Sequence, residues 1–416
     1  MIQAIRGTKD ILPDDSAALQ YLEEKLRQVS ARFGYREMRT PIFEKTEVFS
    51  RSIGENTDIV NKEMYTFEDR GGDSITLRPE NTASIVRAVA QNSLLHDVSV
   101  LRLWYYGPFF RYERPQKGRM RQFHQYGAEC LGSPNPESDF EIITLADRVI
   151  KELGIKDYRL LINTLGNEAS RSAYRNSLAD YLKENIDKLS EESRRRVETN
   201  PLRVLDSKDK EDKSVIADAP VITDSLDEES SEHYNKVIAL LDSAGVRYTQ
   251  EAKLVRGLDY YSHTVFEFQH DALGAQDAFG GGGRYNKLFE QLGAKPAPSI
   301  GFAMGVERLL IILEAEKLLP EMEFPADVYI VTAKPEYFDL AARASAILRE
   351  KGIKVVYDLQ RRSMKAQFKE ANKLNVKTSV IIGDHEYANN SVSVKNMESG
   401  EQKVIALSEL KDNIID

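Results

Sequence analysis

Apolar residues recur at spacings of three and four near the start of the chain. Leu19, Leu22, Leu26, Val29 and Phe33 share one helical face, Ser16 stands where an N-cap belongs, and Gly34 is a stop signal, so the pattern predicts a helix over residues 16–34. In TPIFEKTEVF the pattern is extended and interrupted by Pro41, which predicts an edge strand or one that begins after the proline. ITLRPE reads as a short strand leading into a helix, where Asn81 or Thr82 is the expected cap. VLRLWYYGPFFRYE, rich in β-branched and aromatic residues, reads as a buried strand, and RQFHQYGAECLG as its antiparallel return across the basic loop RPQKGRM. From about Leu165 to Gln250 charge-rich helical patterns take over, as in SLADYLKENIDKLSEESRRRVE, and predict a mostly helical inserted subdomain over 166–250. Strand-like residues resume at Leu254, and PSIGFAMGVERLLIIL ends in a helix. After PEMEFPAD, a two-proline linker, strand and helix patterns alternate strictly, which predicts a small α/β domain with a parallel sheet.

A chain of 416 residues with 41% hydrophobic residues has material for two or three domains with real cores. No apolar run reaches the roughly 18 residues of a membrane span, which excludes a membrane partner of that kind. The opening MIQAIRGTKDILP lacks the basic start and apolar stretch of a secretion signal, and a single cysteine excludes both a disulfide framework and a thiolate metal cage. These features point to the cytoplasm. The net charge of −9 gives no general attraction for nucleic acid, so any such contact must come from local basic patches.

Candidate chemistry lies in five places. LVRGLDYY, residues 254–261, packs an arginine, a carboxylate and two phenols into one short run. Arginine holds phosphate or carboxylate with paired hydrogen bonds. Adjacent tyrosines in a strand point to opposite faces, so only one of Tyr260 and Tyr261 is expected on a given wall, and Gly257 is a candidate bulge. In FFRYERPQKGRMRQFHQYGAE, Arg111 and Glu113 share a face by the period of two, as do Phe123, Gln125 and Glu129 on the return strand. An aromatic slab, an arginine and acids on one sheet surface suit a nucleotide and an amino group; the ordinary alternative, a solvent-facing hairpin, leaves the alternation unexplained. GVERL puts Arg308 near the positive end of a helix, a position that welcomes an anion. TLRPENT offers Glu80 to a ligand ammonium. In AFGGGGRYNKL, four glycines suit neither helix nor strand and fit a backbone approached closely by a ligand or another chain.

Together these motifs resemble, in order and over essentially the whole chain, the histidyl-tRNA synthetase family of class II aminoacyl-tRNA synthetases. TPIFE resembles the first class motif, FRYE with its loop and return strand the second, and GVERL the third; LVRGLDYY and GGGGRY resemble the two histidine-specific elements. The resemblance implies an α+β catalytic domain over 1–322, with a six- or seven-stranded antiparallel sheet flanked by helices and carrying the helical insertion, and a C-terminal α/β anticodon-binding domain over 323–416. It implies a homodimer through the first motif, with L-histidine, ATP as its Mg2+ complex and tRNA(His) as partners, and no dedicated protein metal cage. The implied reaction is formation of histidyl-adenylate and pyrophosphate, then transfer to the tRNA 3′ end.

By motif match, Arg111, Arg256 and Arg308 are the implied catalytic residues, and Arg111, Glu113, Arg119, Arg121, Phe123 and Arg308 the ATP-binding ones. Glu80, Asn81, Thr82, Arg111, Gln125, Glu129, Arg256, Tyr260 and Tyr261 form the implied histidine pocket. Gln116 is implied to face the acceptor stem, and Arg362, Lys365, Lys369 and Lys373, at helical spacing, to contact tRNA. The chain departs from the family pattern at Asn81, usually glycine, where asparagine tolerates a left-handed conformation, and at Asn286 and Lys287. A synthetase-like regulatory subunit of ATP phosphoribosyltransferase is the alternative; such paralogues typically lack the tail and the histidine-specific run, and this chain has both.

Overall fold

The computed structural model describes residues 2–53, 57, 59–205, 207, 209–256, 258, 260–320 and 326–414. They form two compact units, 1–320 and 321–416, and the expected division at 322/323 falls on residues outside the described ones, as do Gly257, Asp259 and the centre of the PEMEFPAD linker.

Helix α1 spans Pro13–Arg32 and buries Leu22, Leu26 and Val29. It starts before Ser16 because Pro13, with its preset φ and missing N–H, fits the first turn, so Ser16 is internal rather than a cap. Strand β1 (Arg36–Glu37) follows, then β2 (Phe43–Lys45), helix α2 (Thr46–Ile53), β3 (Tyr65–Glu68) and β4 (Ser74–Leu77). β2 begins after Pro41 and lies at the edge of a small antiparallel sheet ordered β2–β4–β3. The extended reading of TEVF is corrected: Val48, Phe49 and Ile53 are buried at helical spacing in α2.

Helix α3 (Thr82–Gln91), strands β5 (Leu101–Phe110) and β6 (Gln122–Leu131), helix α4 (Pro136–Glu152) and strand β7 (Tyr158–Thr164) come next. Helices α5 (Glu168–Glu184), α6 (Glu191–Thr199) and α7 (Lys210–Ala217) share a core around Tyr174, Leu178, Leu182, Val197 and Val215. Helix α8 (Glu228–Ser243) instead packs Val237 and Leu241 into the main core. The unit closes with β8 (Thr249–Gln250), β9 (Ser262–His270), β10 (Ala278–Arg284), the short α9 (Leu288–Gln291), β11 (Ser299–Gly305) and α10 (Val306–Ala315).

The main sheet is ordered β1–β5–β6–β11–β10–β9–β7–β8. Its six central strands are antiparallel and the two outermost pairings are parallel, so the sheet is mixed. The two-residue period divides its faces. Trp104, Tyr126, Ala128, Phe266, Phe302 and Met304 face a core shared with α1, α4, α8 and α10. Tyr105, Phe109, Phe123, Val265 and Glu129 face the other side, where the cavity lies.

The second unit comprises β12 (Val328–Thr332), α11 (Phe338–Glu350), β13 (Val355–Tyr357), α12 (Met364–Lys373), β14 (Thr378–Ile382), α13 (Asp384–Ala388), β15 (Ser391–Asn396) and β16 (Gln402–Ala406). Its sheet runs β13–β12–β14–β15–β16. β13, β12 and β14 are parallel as expected, but β15 and β16 add an antiparallel edge, so the all-parallel expectation is corrected. Gly400, at φ 77°, lies in the turn that folds β16 back on β15.

Candidate active site

A cavity of about 260 Å³ opens on the face of the sheet away from the main core. At its floor, Glu80 accepts hydrogen bonds from the backbone N–H groups of Thr82 (2.7 Å) and Ala83 (3.0 Å). Asn81 holds the N-cap position of α3 without a capping side-chain bond, and Glu80, one residue earlier, supplies the capping oxygens. The Thr82 hydroxyl donates to Glu129 Oε1 at 2.8 Å, and the Tyr285 hydroxyl donates to the other oxygen. Glu129 is fully buried on β6. It has this space because its register partner on β11 is Gly301, where a Cβ would overlap the carboxylate. Burial pushes the Glu129 carboxyl up to about 8, the nearby Glu80 adds to the rise, and the two hydroxyl donors only partly oppose it. Burial also raises Glu80, against its two backbone hydrogen bonds.

Tyr260 and Tyr261 both line the cavity, with ring centroids 4.7 Å apart, and Tyr285 meets Tyr260 edge-on at 5.7 Å. The expectation that only one of the pair would reach this wall is corrected: β9 begins at Ser262, so strand alternation does not govern them. Arg256 also precedes the strand. It lies against Gly281, where a Cβ would approach its guanidinium to 2.9 Å, and pairs with Glu267 on β9. Gly283 likewise makes room for Tyr261. The four glycines are thus in the interior of β10, and two of them admit side chains laid across the sheet.

Arg111 lies just beyond β5, not within a strand; its proximity to Glu113 comes from the turn, with Arg111 Nη1 3.9 Å from Glu113 Oε1. Its Nε donates to Pro79 O at 2.9 Å, and its guanidinium lies 5.3 Å from the centroid of the Phe123 ring. Arg119 Nε is 3.3 Å from Glu113 Oε2. Arg308, in the first turn of α10, donates from Nε to Gly118 O at 3.0 Å and from Nη1 to Ala278 O; burial lowers its pKa, with the charge of Arg119 adding to the effect. Gln125 lines the same wall.

Two expected site residues turn away. Asn81 is right-handed (φ −117°, ψ −17°), and its Oδ1 accepts from Thr40 Oγ1 at 2.7 Å beneath the site; no left-handed turn is needed. Arg121 does not line the cavity but stacks on Tyr112 at 3.9 Å. Conversely, Glu267, Tyr105 and Tyr285 line the cavity without having been picked out from the sequence. Glu267 had a signal, as the one acid within the otherwise apolar TVFEF.

Gln116 is exposed, and its backbone pairs with Arg119 to close the loop. In the second unit, Lys365, Lys369 and Lys373 are exposed on α12. Arg362 lies before that helix and is engaged by Asp358 and Glu370, so it is not part of a free stripe. Asn286 Oδ1 accepts from Arg284 at 3.3 Å, and Lys287 pairs with Glu168.

An antiparallel six-stranded centre carrying arginines and buried acids on one face, together with a separate mixed α/β unit, is the architecture of a class II aminoacyl-tRNA synthetase. Comparison with known proteins carries this further. Residues 7–309 match the histidyl-tRNA synthetase family and residues 327–416 the anticodon binding domain. A histidine–tRNA ligase from Halorhodospira halophila is 49% identical over 97% of this chain and 95% of its own length. One from Fervidobacterium nodosum is 46% identical over 100% and 99%. The crystal structure of apo S. aureus histidyl-tRNA synthetase superposes with a TM-score of 0.83 at 39% identity, covering 99% of both chains. The chain belongs to the histidyl-tRNA synthetase family and is an ATP-using aminoacyl-tRNA ligase for histidine. The crystal structure of an ATP phosphoribosyltransferase regulatory subunit/histidyl-tRNA synthetase from Bacillus halodurans C is 22% identical, covering 92% of this chain and 98% of its own, with a TM-score of 0.66, a likeness of fold alone, and the regulatory alternative is not favoured. No described helix is long and apolar enough to cross a membrane.

Proposed function

We propose that the cavity holds histidine at its Glu129 end and ATP at its Phe123–Arg308 end. The observation that carries this reading is Glu129, a fully buried carboxylate whose hydrogen-bond partners are hydroxyls and whose proton is held up to about pH 8. Such a group is stabilised by a ligand that brings a donor or a cation. In this reading Glu129 and Tyr261 meet the imidazole, Glu80, Thr82 and Gln125 the ammonium group, and Tyr260 closes the wall. Phe123 stacks the adenine, Arg308 covers its other face and meets the outer phosphates, and Arg119 and Glu113 complete the nucleotide site. Arg111 and Arg256 hold the α-phosphate from two sides.

Adenylate formation then proceeds by attack of the histidine carboxylate on the α-phosphorus; the new P–O bond forms as the bond to pyrophosphate breaks. Charge grows on the phosphoryl oxygens, where fixed arginines stabilise it without reorganisation. Bound as the ATP complex, Mg2+ would neutralise phosphate charge beside Arg111, Arg256 and Arg308. In the second step a terminal ribose hydroxyl of tRNA(His) attacks the acyl carbon and AMP leaves.

The same reading assigns residues 1–322 to the catalytic domain with its 166–250 insertion, and 323–416 to anticodon binding. The exposed Lys365, Lys369 and Lys373 meet tRNA phosphate, and Gln116 faces the acceptor stem. The chain acts in the cytoplasm as a homodimer. Exposed Ile42 and Phe43, on and beside the edge strand β2, supply an apolar surface for the pairing. The test is amino-acid-dependent exchange of labelled pyrophosphate into ATP, run across all twenty amino acids with Mg2+. Histidine should support it; better exchange with threonine or proline would sink the pocket assignment. A fully active 47.2 kDa species in sedimentation would remove the dimer.

A further inference from the structure

Arg78, between β4 and the Pro79–Glu80 turn, is 5% exposed, and the side-chain hydrogen bonds it donates go to neutral acceptors. Nε donates to Pro108 O at 2.9 Å; Nη1 donates to Thr40 O and Thr40 Oγ1 at 3.1 Å each and to Asn81 Oδ1 at 3.4 Å. The guanidinium stacks 4.5 Å over the Phe109 ring. Burial disfavours this charge, no carboxylate among the described residues accepts a hydrogen bond from it and Glu44 favours it only through its field, so it costs folding free energy that an apolar side chain of the same size would avoid. What the planar fork supplies is geometry: one rigid group joins residue 40, the end of β5 and the turn at residue 81. The backbone reinforces it, with Arg78 N–H on Ile42 O at 2.9 Å and Phe110 N–H on Arg78 O at 3.0 Å.

Arg111 hangs from this joint. It follows β5 by one residue, and its Nε donates to Pro79 O, the carbonyl next to Arg78. Room for the guanidinium is reserved at Gly107, where a Cβ would stand 2.6 Å from Arg78 Nη2. Glu80, in contrast, is held by its own cap bonds to Thr82 and Ala83.

We propose that Arg78 is a positioning residue for Arg111: its guanidinium clamps the Pro79 turn to Pro108 and so sets where Arg111 presents its free edge to the cavity. This rests on the assignment of Arg111 to the α-phosphate. Displacing a catalytic group by about 1 Å costs on the order of 100-fold in rate.

The test is histidine-dependent pyrophosphate exchange on the full chain, with kcat and KM resolved and a thermal melt for each variant. Arg78→Lys removes the fork and keeps the charge; Gly107→Ala keeps the arginine and pushes it aside. Each should lower kcat by roughly 10- to 100-fold, with histidine KM moving far less because Glu80 keeps its cap. In an Arg78→Ala background, or Arg78→Gln should the alanine protein not fold, Gly107→Ala should cost nothing further, since no guanidinium remains to displace. A purely structural role would lower the melting temperature and leave kcat of the folded protein unchanged. Wild-type kcat in Arg78→Lys beside a crippled Arg111→Ala control overturns this inference alone, as does an equal Gly107→Ala loss in both backgrounds. An undiminished rate in Arg111→Ala overturns the substrate-site reading itself.

Discussion

Arg284 and Tyr285 are neighbours in sequence that point to opposite faces of the sheet, and each meets a fully buried acid. On the core face, Arg284 donates from Nε to Asp139 Oδ2 at 3.1 Å, and further to Ser138 Oγ at 2.8 Å and Ser133 O at 2.7 Å. Burial alone would push the Asp139 carboxyl up, but Arg284 and His233 win and hold it down at about 2. On the cavity face, Tyr285 offers Glu129 only a hydroxyl, and burial prevails, pushing that carboxyl up to about 8. The two acids are equally hidden from water. They differ in whether the protein supplies the cation. Asp139 is complete within the fold; Glu129 has only hydroxyl partners within it, which is why the proposed function gives it a ligand. A buried acid that the protein itself pairs with a cation is a structural element, whereas a buried acid that the protein leaves without one is a candidate for a functional site.

Breaking the core-face pair should have the largest effect on folding. Arg284→Met strands Asp139 and should lose about 3–5 kcal/mol in denaturant unfolding. A loss under about 1 kcal/mol would mean that the pair is not what holds the ends of β10 and α4 together.

On the cavity face the corresponding effect should be kinetic. Arg256→Ala should cost about 3 kcal/mol of transition-state stabilisation, roughly two orders of magnitude in adenylate formation, with a normal melting curve and a smaller change in histidine binding. An unchanged single-turnover rate would remove Arg256 from the chemistry.

The comparison also fixes a sign for pH. Glu129 holds its proton to about pH 8 in the folded, ligand-free protein, whereas an unfolded glutamate releases it near pH 4.3. Between those values the folded state binds more protons, so this group's contribution to stability falls as pH rises from about 4 to about 8 and is level beyond. Glu129→Gln should lose that slope, so the stability difference between variant and wild type should change with pH from about 4 to about 8, and below about pH 6, where the free imidazole is already charged, histidine should release a proton on binding. For Asp139 the shift is downward, so its contribution is present above about pH 4 and is lost as pH falls toward 2. Equal stability–pH curves for wild type and Glu129→Gln would refute the cavity half of the contrast.

The smallest effect is expected from the second unit, where exposed charges meet a mobile counterion atmosphere. Reversing Lys365 and Lys369 should flatten the salt dependence of tRNA affinity by about one unit in slope per lost phosphate contact, without altering histidine activation. Arg362→Ala should act on the stability of this unit, because its partners are Asp358 and Glu370. An unchanged slope in the lysine variant would make the α12 face merely solvated.

Much of this could be read from the chain before any coordinates. Hydrophobic periodicity specified the β5–β6 hairpin and the face shared by Phe123, Gln125 and Glu129, because inside a strand the period of two leaves side chains no choice. The place of Arg308 in the first turn of α10 followed from glycine and helix signals in the same way. What tertiary structure alone decided lies where regular elements stop. Tyr260 and Tyr261 both enter the cavity because β9 begins after them; Arg121 turns to Tyr112 and Asn81 to Thr40 because neither sits on a strand that would aim it. The second unit's antiparallel edge likewise depends on a hairpin whose strands become strands by pairing. The glycines of β10 owe their meaning to Arg256 and Tyr261, brought across the sheet from a preceding loop. Local sequence governs direction only while backbone hydrogen bonds repeat; beyond the last repeat, direction is set by which distant group fills the remaining space.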